Sequence, residues 1–558
     1  MAGDRTRVAV VTGGAIGIGA AIAESLGRQG MFVVTMDPVV ALDGSPQGPG
    51  GEVTTADRIV AAGGKARASN TSVTDEAAVR ELFTGLVDEF GALDVVVNVA
   101  GISRATGFGS GTDEDWARVL DVHLNGYLTV LGVALPLMVA AGHGIVLGVT
   151  SGSGWRAADA GAYSCAKRAV ASVTWQIGAA APPGITVNAL SPIAATRMVT
   201  NALSRQPPSA DQAGRSAASG GVALSAAPPP EHLGPIGAYL ASEEFSAWCR
   251  GHIVFSNGAE ASLVSPPHLL EVVRTEGVTS LRATIEAAVP VLAAAEQAQV
   301  STGGSVPRLA AAFAADGSGP DAVGPGERGA RCLVVTDDPA WAAALGDALG
   351  ALGVECAAGD PAARDIGAAG ATVGAATSDG PLDAIVVALR GADAGATGGG
   401  WAAVLDTHAG IVDDIRRDAA WVRAAADSAA AQERPVRVVT LTDATTPGGR
   451  SRAMAAAQLS RAAHLATEHR VDAYAIAVES GDEPARNTTA ALAAHLVTAP
   501  DAAALSGAEL VATASWFGLR SHPNVRGTVT YGGPEVPDWL DAALRRVVAG
   551  ELAGQEIR

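Results

Sequence analysis

The sequence predicts an α/β protein of two doubly wound parallel sheets in tandem, the second a truncated and degenerate copy of the first. Three observations predict it. Short β-rich runs alternate with longer helical patterns: RVAVVT, MFVVTMD, LDVVVNVAG, GIVLGVTS, ITVNALS and HIVFSNG. A Gly-rich turn follows the first run and opens a helix. The second half then repeats the first in collinear order. RVAVVTGGAIGIG faces RCLVVTDDPAWAA, GALDVVV faces GPLDAIV, WARVLDVH faces WAAVLDTH, and CRGHIVFSNG faces VRGTVTYGG. With Thr12 against Thr336 and Asp94 against Asp383 the spacing falls from 324 to 289. Those 35 positions are lost where a second strand, its helix and a third strand belong, so the copy is truncated on its nucleotide-binding side.

The division that follows is residues 1–262 as a first, catalytic domain, 263–329 as a helix plus a Gly/Pro-rich linker, and 330–558 as the degenerate, non-catalytic domain. Length alone argues for two cores, since 558 residues exceed what one usually supports. A formal charge of −19 repels phosphate backbones and anionic lipid, so neither nucleic acid nor a membrane surface is an expected partner. Four dispersed cysteines, with no CxxC, suggest neither disulfides nor a metal site and fit a cytoplasmic location. The first strand begins within a few residues of Met1, leaving no room for the apolar core of a signal peptide. The uncharged stretch from Val122 to Trp155 is interrupted by Pro136 and by Gly142-His143-Gly144, and reads as helix, turn and strand rather than a membrane span.

Chemistry concentrates in the first half. Thr12-Gly13-Gly14-Ala15-Ile16-Gly17-Ile18-Gly19 sits between strand and helix, where glycines admit a pyrophosphate to helix N–H groups. Asp37 ends the next strand, where a carboxylate accepts both adenosine ribose hydroxyls and repels a 2′-phosphate, which favours NAD(H) over NADP(H). Tyr163 and Lys167 are one helical turn apart, so phenol and ammonium share a face. A free phenol titrates about three units too high for a neutral-pH base, and nearby positive charge favours its phenolate. Only two of the 38 basic residues are lysine, Lys65 and Lys167, and a compact ammonium differs from a planar guanidinium.

The TGxxxGxG spacing, Asn98-Val99-Ala100-Gly101, Ser151 twelve residues before Tyr163, Tyr163-Ser164-Cys165-Ala166-Lys167 and Ile185-Thr186-Val187-Asn188 resemble the short-chain dehydrogenase/reductase family in order. The resemblance covers about half the chain. It implies Rossmann-like sheets, with Ser151 hydrogen-bonding the substrate oxygen, Tyr163 as general acid/base and Lys167 reaching the nicotinamide ribose. Thr12, Gly13, Gly17, Ile18, Gly19, Asp37, Asn98, Ala100 and Gly101 would line the cofactor, with Ser72-Val73 at the adenine and Ile193 and Thr196 at the carboxamide. Ser72-Val73 stands in place of the family's Asp-Val and Pro192-Ile193 in place of Pro-Gly. His123 occupies the position of the active-site Asn, with Asn125 on another helical face; it either reshapes the proton relay or is a satisfied helix histidine. VHL at 122–124 and the long insert after Asp37 look more like the hydroxyacyl-CoA dehydrogenase part of peroxisomal multifunctional enzymes than like other branches.

In the copy, Asp337-Asp338 replace the phosphate turn, and Asp443, Met454 and Gln458 match Ser151, Tyr163 and Lys167. Neither set supports redox chemistry. The family commonly pairs through the helices after strands four and five, and the copy keeps matching stretches around Trp401 and from Met454 to Ala466, so an internal pseudo-dimer is expected, with a homodimer as a further arrangement. The segment from Thr196 to about Pro230 is expected to cover the substrate mouth. The overall reading is an oxidoreductase acting on a secondary alcohol or ketone, perhaps a 3-hydroxyacyl or 3-oxoacyl thioester, in bacterial biosynthesis. The other readings are a non-redox step such as dehydration or epimerisation, and a non-catalytic scaffold.

Overall fold

The computed structural model describes residues 5–47, 53–109, 111–156, 160–205, 227–299, 330–392, 395, 398–468 and 470–555. The expected linker from 300 to 329 and most of the expected cover over the substrate mouth, 206–226, lie outside the described residues.

The first half runs β1 (Val8–Thr12), α1 (Gly17–Arg28), β2 (Phe32–Met36), α2 (Thr55–Ala61), β3 (Lys65–Ser69), α3 (Glu76–Phe90), β4 (Val95–Asn98), α4 (Asp113–Leu120), α5 (Gly126–Ala141), β5 (Gly144–Val149), α6 (Gly161–Ala180) and β6 (Ile185–Pro192). It continues through α7 (Arg197–Arg205), α8 (Leu233–Leu240), α9 (Glu243–Ser246), β7 (Ile253–Ser256), β8 (Glu260–Ser265), β9 (Leu269–Arg274) and α10 (Leu281–Gln297). Strands β1, β4, β5, β6 and β7 are buried along nearly their whole length, as parallel strands covered on both faces must be.

The second half follows as β10 (Arg331–Thr336), α11 (Pro339–Gly350), β11 (Glu355–Ala358), α12 (Ile366–Ser378), β12 (Ala384–Ala388), α13 (Gly400–Asp406), α14 (Ile411–Gln432), β13 (Val436–Asp443), α15 (Pro447–Ala466) and β14 (Val471–Val478). It ends with α16 (Glu483–Thr498), β15 (Glu509–Ala512), β16 (Trp516–Arg520), β17 (Asn524–Thr530) and α17 (Leu540–Gln555). Only one strand, β11, lies beyond β10, where the first sheet has both β2 and β3 beyond β1. The lost positions therefore correspond to one strand-and-helix unit.

The sheets exchange their last strands. The nine-stranded sheet runs β17-β8-β7-β6-β5-β4-β1-β2-β3 and the eight-stranded one β11-β10-β12-β13-β14-β15-β16-β9. Strand β9 leaves the first half to pair antiparallel with β16, and β17 returns from the second half to pair antiparallel with β8. The helices follow: Ile285, Val289 and Leu292 of α10 lie in the second half's core, and Leu540 and Leu544 of α17 in the first's. Asp541 accepts from Tyr239 Oη and Trp248 Nε1 at 2.8 and 2.7 Å.

This corrects the boundaries expected at 262, 263–329 and 330. Residue 262 falls inside β8, and 263–329 contributes a strand and a helix to the second sheet's layers. It also corrects the fourth repeat match. VRGTVTYGG contains most of β17, whereas the strand that takes the place of β7, next to β14 as the counterpart of β6, is Glu509–Ala512. An edge pairing of this kind depends on partners far away in sequence, which a local pattern cannot report.

One buried apolar cluster spans both halves, joining Trp116, Leu131, Ala166 and Val170 to Trp421, Ala425 and Leu459. Helix α6 packs along α15, and α4 against α14. A chain ending at residue 262 would lose β17, the rest of β8 and the cover over α4 and α6. Such a chain is expected to fail to reach a soluble folded monomer, which circular dichroism and size-exclusion chromatography check; a folded 1–262 fragment that binds NADH refutes the expectation.

Helices α4 and α5 join through a π-helical turn, Asp121–Asn125, and Pro136 lies inside α5 instead of ending it. Gly142, in the left-handed conformation at φ 75°, ends the helix. The continuous segment Asp113–Ala141 is long and apolar enough to cross a membrane by length and composition; here half of its most apolar window is buried inside the protein.

Candidate active site

The Gly-rich turn takes the expected shape. Gly13 and Gly17 have φ of 64° and 60°, and a Cβ on Gly13 would meet the Ala100 backbone at 2.9 Å. A Cβ on Gly19 would sit 2.1 Å from the Gly13 carbonyl oxygen, so close packing of turn on helix requires glycine. A Cβ on Gly17 meets nothing within 4 Å, leaving open space at the N-terminus of α1, where Ile18 is the next residue. Thr12 ties the turn to β4: its hydroxyl donates to Asn98 Oδ1 at 2.8 Å and accepts from Val99 and Ala100 N–H, both at 3.1 Å.

Asp37, Ser72, Val73, Ala100 and Gly101 line one cavity beside this turn. The Asp37 carboxylate accepts from Ala15 N–H at 3.2 Å and Val39 N–H at 2.8 Å. It thus caps the following loop, and each oxygen keeps further lone-pair capacity for a ribose hydroxyl. The insert after β2 folds against the end of β4: Ser103 N–H donates to the Leu42 carbonyl at 2.8 Å and Arg104 Nε to the Asp43 carbonyl at 2.7 Å. Beyond β6, Ile193 N–H is held by the Ser256 carbonyl at 3.0 Å, and Thr196 Oγ1 accepts from Val199 N–H at 3.2 Å at the start of α7.

Ser151, Tyr163, Lys167 and His123 converge at the carboxyl ends of β4 and β5. Ser151 caps a short turn, accepting from Ser153 N–H at 3.2 Å, and is hydrogen-bonded to Tyr163. Lys167 Nζ donates to the Val149 carbonyl at 2.7 Å and lies 5.8 Å from the Tyr163 ring centroid. Burial holds its ammonium down to about 7. Burial pushes the Tyr163 phenol up, while the Ser151 hydrogen bond and the charge of Arg156 pull it back. Arg156 thus adds its charge to the surroundings of the phenol, which the sequence reading missed. It belongs to no motif, and only its place between Ser151 and Tyr163 could have drawn notice.

His123 lies on the π turn, a feature frequent at functional sites. Its ring stands edge-on to Tyr163 with centroids 5.0 Å apart, and Nε2 sits 2.9 Å from the Ile102 carbonyl and 3.2 Å from Ile102 N. Burial and the Lys167 charge push its pKa down to about 3, so it is neutral in the working range. Buried Nδ1 is without a partner among the described residues. A Cβ on Gly101 would lie 2.4 Å from the His123 ring, which fixes glycine there. Asn125 bonds Asp121 at 2.9 Å on the exposed side, away from the site. Among the described residues no group of three or more His, Cys, Asp or Glu could hold a metal.

The corresponding region of the second half is filled. Asp338 caps α11, accepting from Ala340 N–H at 2.8 Å, and so takes up the helix donors a phosphate would use. Arg390 pairs with Asp338 at 3.1 Å, and its N–H donates to Asp337 at 2.9 Å. Arg452 bridges Asp418 and the Leu389 carbonyl, buried throughout. The match of Met454 and Gln458 to Tyr163 and Lys167 needs correction. Helices α6 and α15 are both twenty residues long and lead into β6 and β14 through connections of equal length, which sets Gly449 and Ala453 opposite them. A side chain at Gly449 would lie 2.1 Å from the Asp443 carbonyl, so no phenol fits.

Comparison with known proteins follows this geometry. The profile of the short chain dehydrogenase family matches residues 7–207. A short-chain reductase protein of Streptomyces niveus is 37% identical over 194 residues, 34% of this chain and 71% of that protein. The peroxisomal hydratase-dehydrogenase-epimerase of Saccharomyces cerevisiae is 32% identical over 201 residues, 36% of this chain and 22% of that protein. The crystal structure of a short chain dehydrogenase from Mycobacterium avium shares 29% identity, covers 51% of this chain and 94% of its own, and gives a TM-score of 0.41. With the Gly-rich turn, the serine and the paired tyrosine and lysine in place, the chain belongs to the short-chain dehydrogenase/reductase family of nicotinamide-dependent oxidoreductases.

Proposed function

We propose that the protein is a cytoplasmic NAD(H)-dependent oxidoreductase that interconverts a secondary alcohol and a ketone, with Tyr163 as general acid/base. The convergence of Ser151, Tyr163 and Lys167 beside the open N-terminus of α1 carries this reading. When bound, the nicotinamide supplies or accepts the hydride. Ser151 hydrogen-bonds the substrate oxygen as charge develops on it, and Tyr163 gives that oxygen a proton in reduction or removes one in oxidation. Lys167 keeps two of its three ammonium protons for the nicotinamide ribose. Neutral His123 fixes the Ile102 backbone and the edge of the Tyr163 ring.

Within this class a 3-hydroxyacyl or 3-oxoacyl thioester is the favoured substrate, in line with the similarity to a protein whose name includes a dehydrogenase among hydratase and epimerase functions. The second half, with its groove filled by ion pairs, is non-catalytic and stands where a partner subunit would, making an internal pseudo-dimer. A bacterial biosynthetic step is the proposed setting. The test is incubation with NADH and a panel of ketones and 3-oxoacyl thioesters, following cofactor absorbance; tight NADH binding with no turnover on any of them favours a non-redox or scaffold role instead.

Cofactor choice gives a second check. The Asp37 carboxylate is expected to make NADH bind at least tenfold tighter than NADPH, and Asp37→Ala to narrow that gap, as read by fluorescence titration. A native preference for NADPH overturns the assignment.

A further inference from the structure

We propose that Gln458, carried by the second half, is a positioning residue for the first half's active site, its side-chain amide clamping the turn that carries Arg156, whose charge acts on Tyr163. Gln458 is fully buried on α15. Its Nε2 donates to the carbonyls of Ser153 and Arg156 at 3.2 and 2.8 Å, and its Oε1 accepts from Arg168 at 3.4 Å. Arg168 is itself fixed by an ion pair to Glu509 of the second half. Both clamped carbonyls belong to the turn that Ser151 opens.

Within that turn Arg156 N–H donates to the Gly152 carbonyl at 3.0 Å and its guanidinium to Ser153 Oγ at 3.1 Å. The Gln458 amide therefore fixes both ends of the segment that carries Arg156. Its loss would take a donor from each of two part-buried carbonyls, a cost that falls on this turn. A second contact has the same sense: Arg423 of α14 donates to the carbonyls of Phe108 and Gly111, on the loop that runs from β4 to α4, and stacks 5.2 Å from the Trp116 ring centroid. The non-catalytic half thus grips two loops that flank the reacting centre.

The groups facing the Tyr163 phenol are Ser151, Arg156, Lys167 and His123, all from the first half. Gln458 acts on it only through Arg156. The inference rests on Tyr163 as the proton-transferring group for its effect on turnover, so the test reads Tyr163 without turnover. Phenolate absorbance at pH 10, taken as the difference between each protein and the same protein carrying Tyr163→Phe, isolates this tyrosine. Gln458→Met is expected to lower the phenolate signal about threefold, the effect of half a pH unit. Arg156→Met is expected to lower it at least as far, and the two together no further.

Gln176→Met is the control. It removes bonds to the Pro447 carbonyl and Ser451 Oγ, at 3.1 and 3.0 Å, across the same pair of helices without touching the turn, and should leave the signal unchanged. An unaltered signal in Gln458→Met, or an equal fall in Gln176→Met, overturns the proposal. Should Gln458→Met fail to fold, Gln458→Glu, which aims an acceptor at the two carbonyls, is expected to give the larger loss. An unchanged signal in Arg156→Met overturns the proposal by itself. Full turnover by Tyr163→Phe would sink the proposed mechanism while leaving the phenolate result readable.

Discussion

Tyr163→Phe is expected to lower kcat for alcohol–ketone interconversion about a thousandfold while NADH affinity stays within a few-fold of the native value. The magnitude is that of removing a positioned general acid/base, for which losses of about 10²–10⁴ are typical. The phenol makes its hydrogen bond to Ser151, and its ring packs against His123 and under Lys167. Phenylalanine keeps the ring contacts and loses only the exchangeable proton. Steady-state kinetics with a fluorescence titration of NADH separate the two effects. Retention of full turnover would exclude Tyr163 as the proton donor, and a parallel collapse of NADH binding would mean that the ring, not the hydroxyl, is what matters.

Arg168→Ala is expected to cost about 3–5 kcal/mol of unfolding free energy, because it strands the Glu509 carboxylate in the interior. Arg168 is fully buried and Glu509 nearly so, and their pair joins α6 to β15 across the two halves. The double change Arg168→Met with Glu509→Leu is expected to recover most of that loss, since it removes both charges and restores apolar volume. Denaturant unfolding of the three proteins checks this. Equal stability of the single variant and the native chain would show that the pair contributes nothing.

The candidate site was legible because the chemistry proposed for it demands particular residue types at short, fixed spacings: glycines where backbone must approach backbone, a tyrosine and a lysine one turn apart, a serine at a strand end. The filled phosphate turn at Asp337 and Asp338 was legible for the same reason. What was hidden depends on distance in sequence. Strand β9 is a short run, and nothing within LLEVVR indicates that its partner is β16, some 250 residues away. The equivalents of Tyr163 and Lys167 were misplaced at Met454 and Gln458 because similarity between the halves fades along those helices, and helix length, visible only in the folded chain, sets the register. Arg156 escaped notice, and Gln458 was noticed only as a match to Lys167, because their contribution comes from where the fold puts them.

The exchange of β9 and β17 has a consequence for synthesis. A chain emerging from the ribosome presents the dinucleotide-binding strands early, yet the outer neighbour of β8 is not made until residue 530. Until then the oxidoreductase half has an open flank, a form of nascent chain that invites wrong pairings and chaperone attention. Maturation of the reacting centre is thus timed by translation of the second half, and a ribosome that stalls between residues 300 and 520 leaves a product that cannot finish its own sheet.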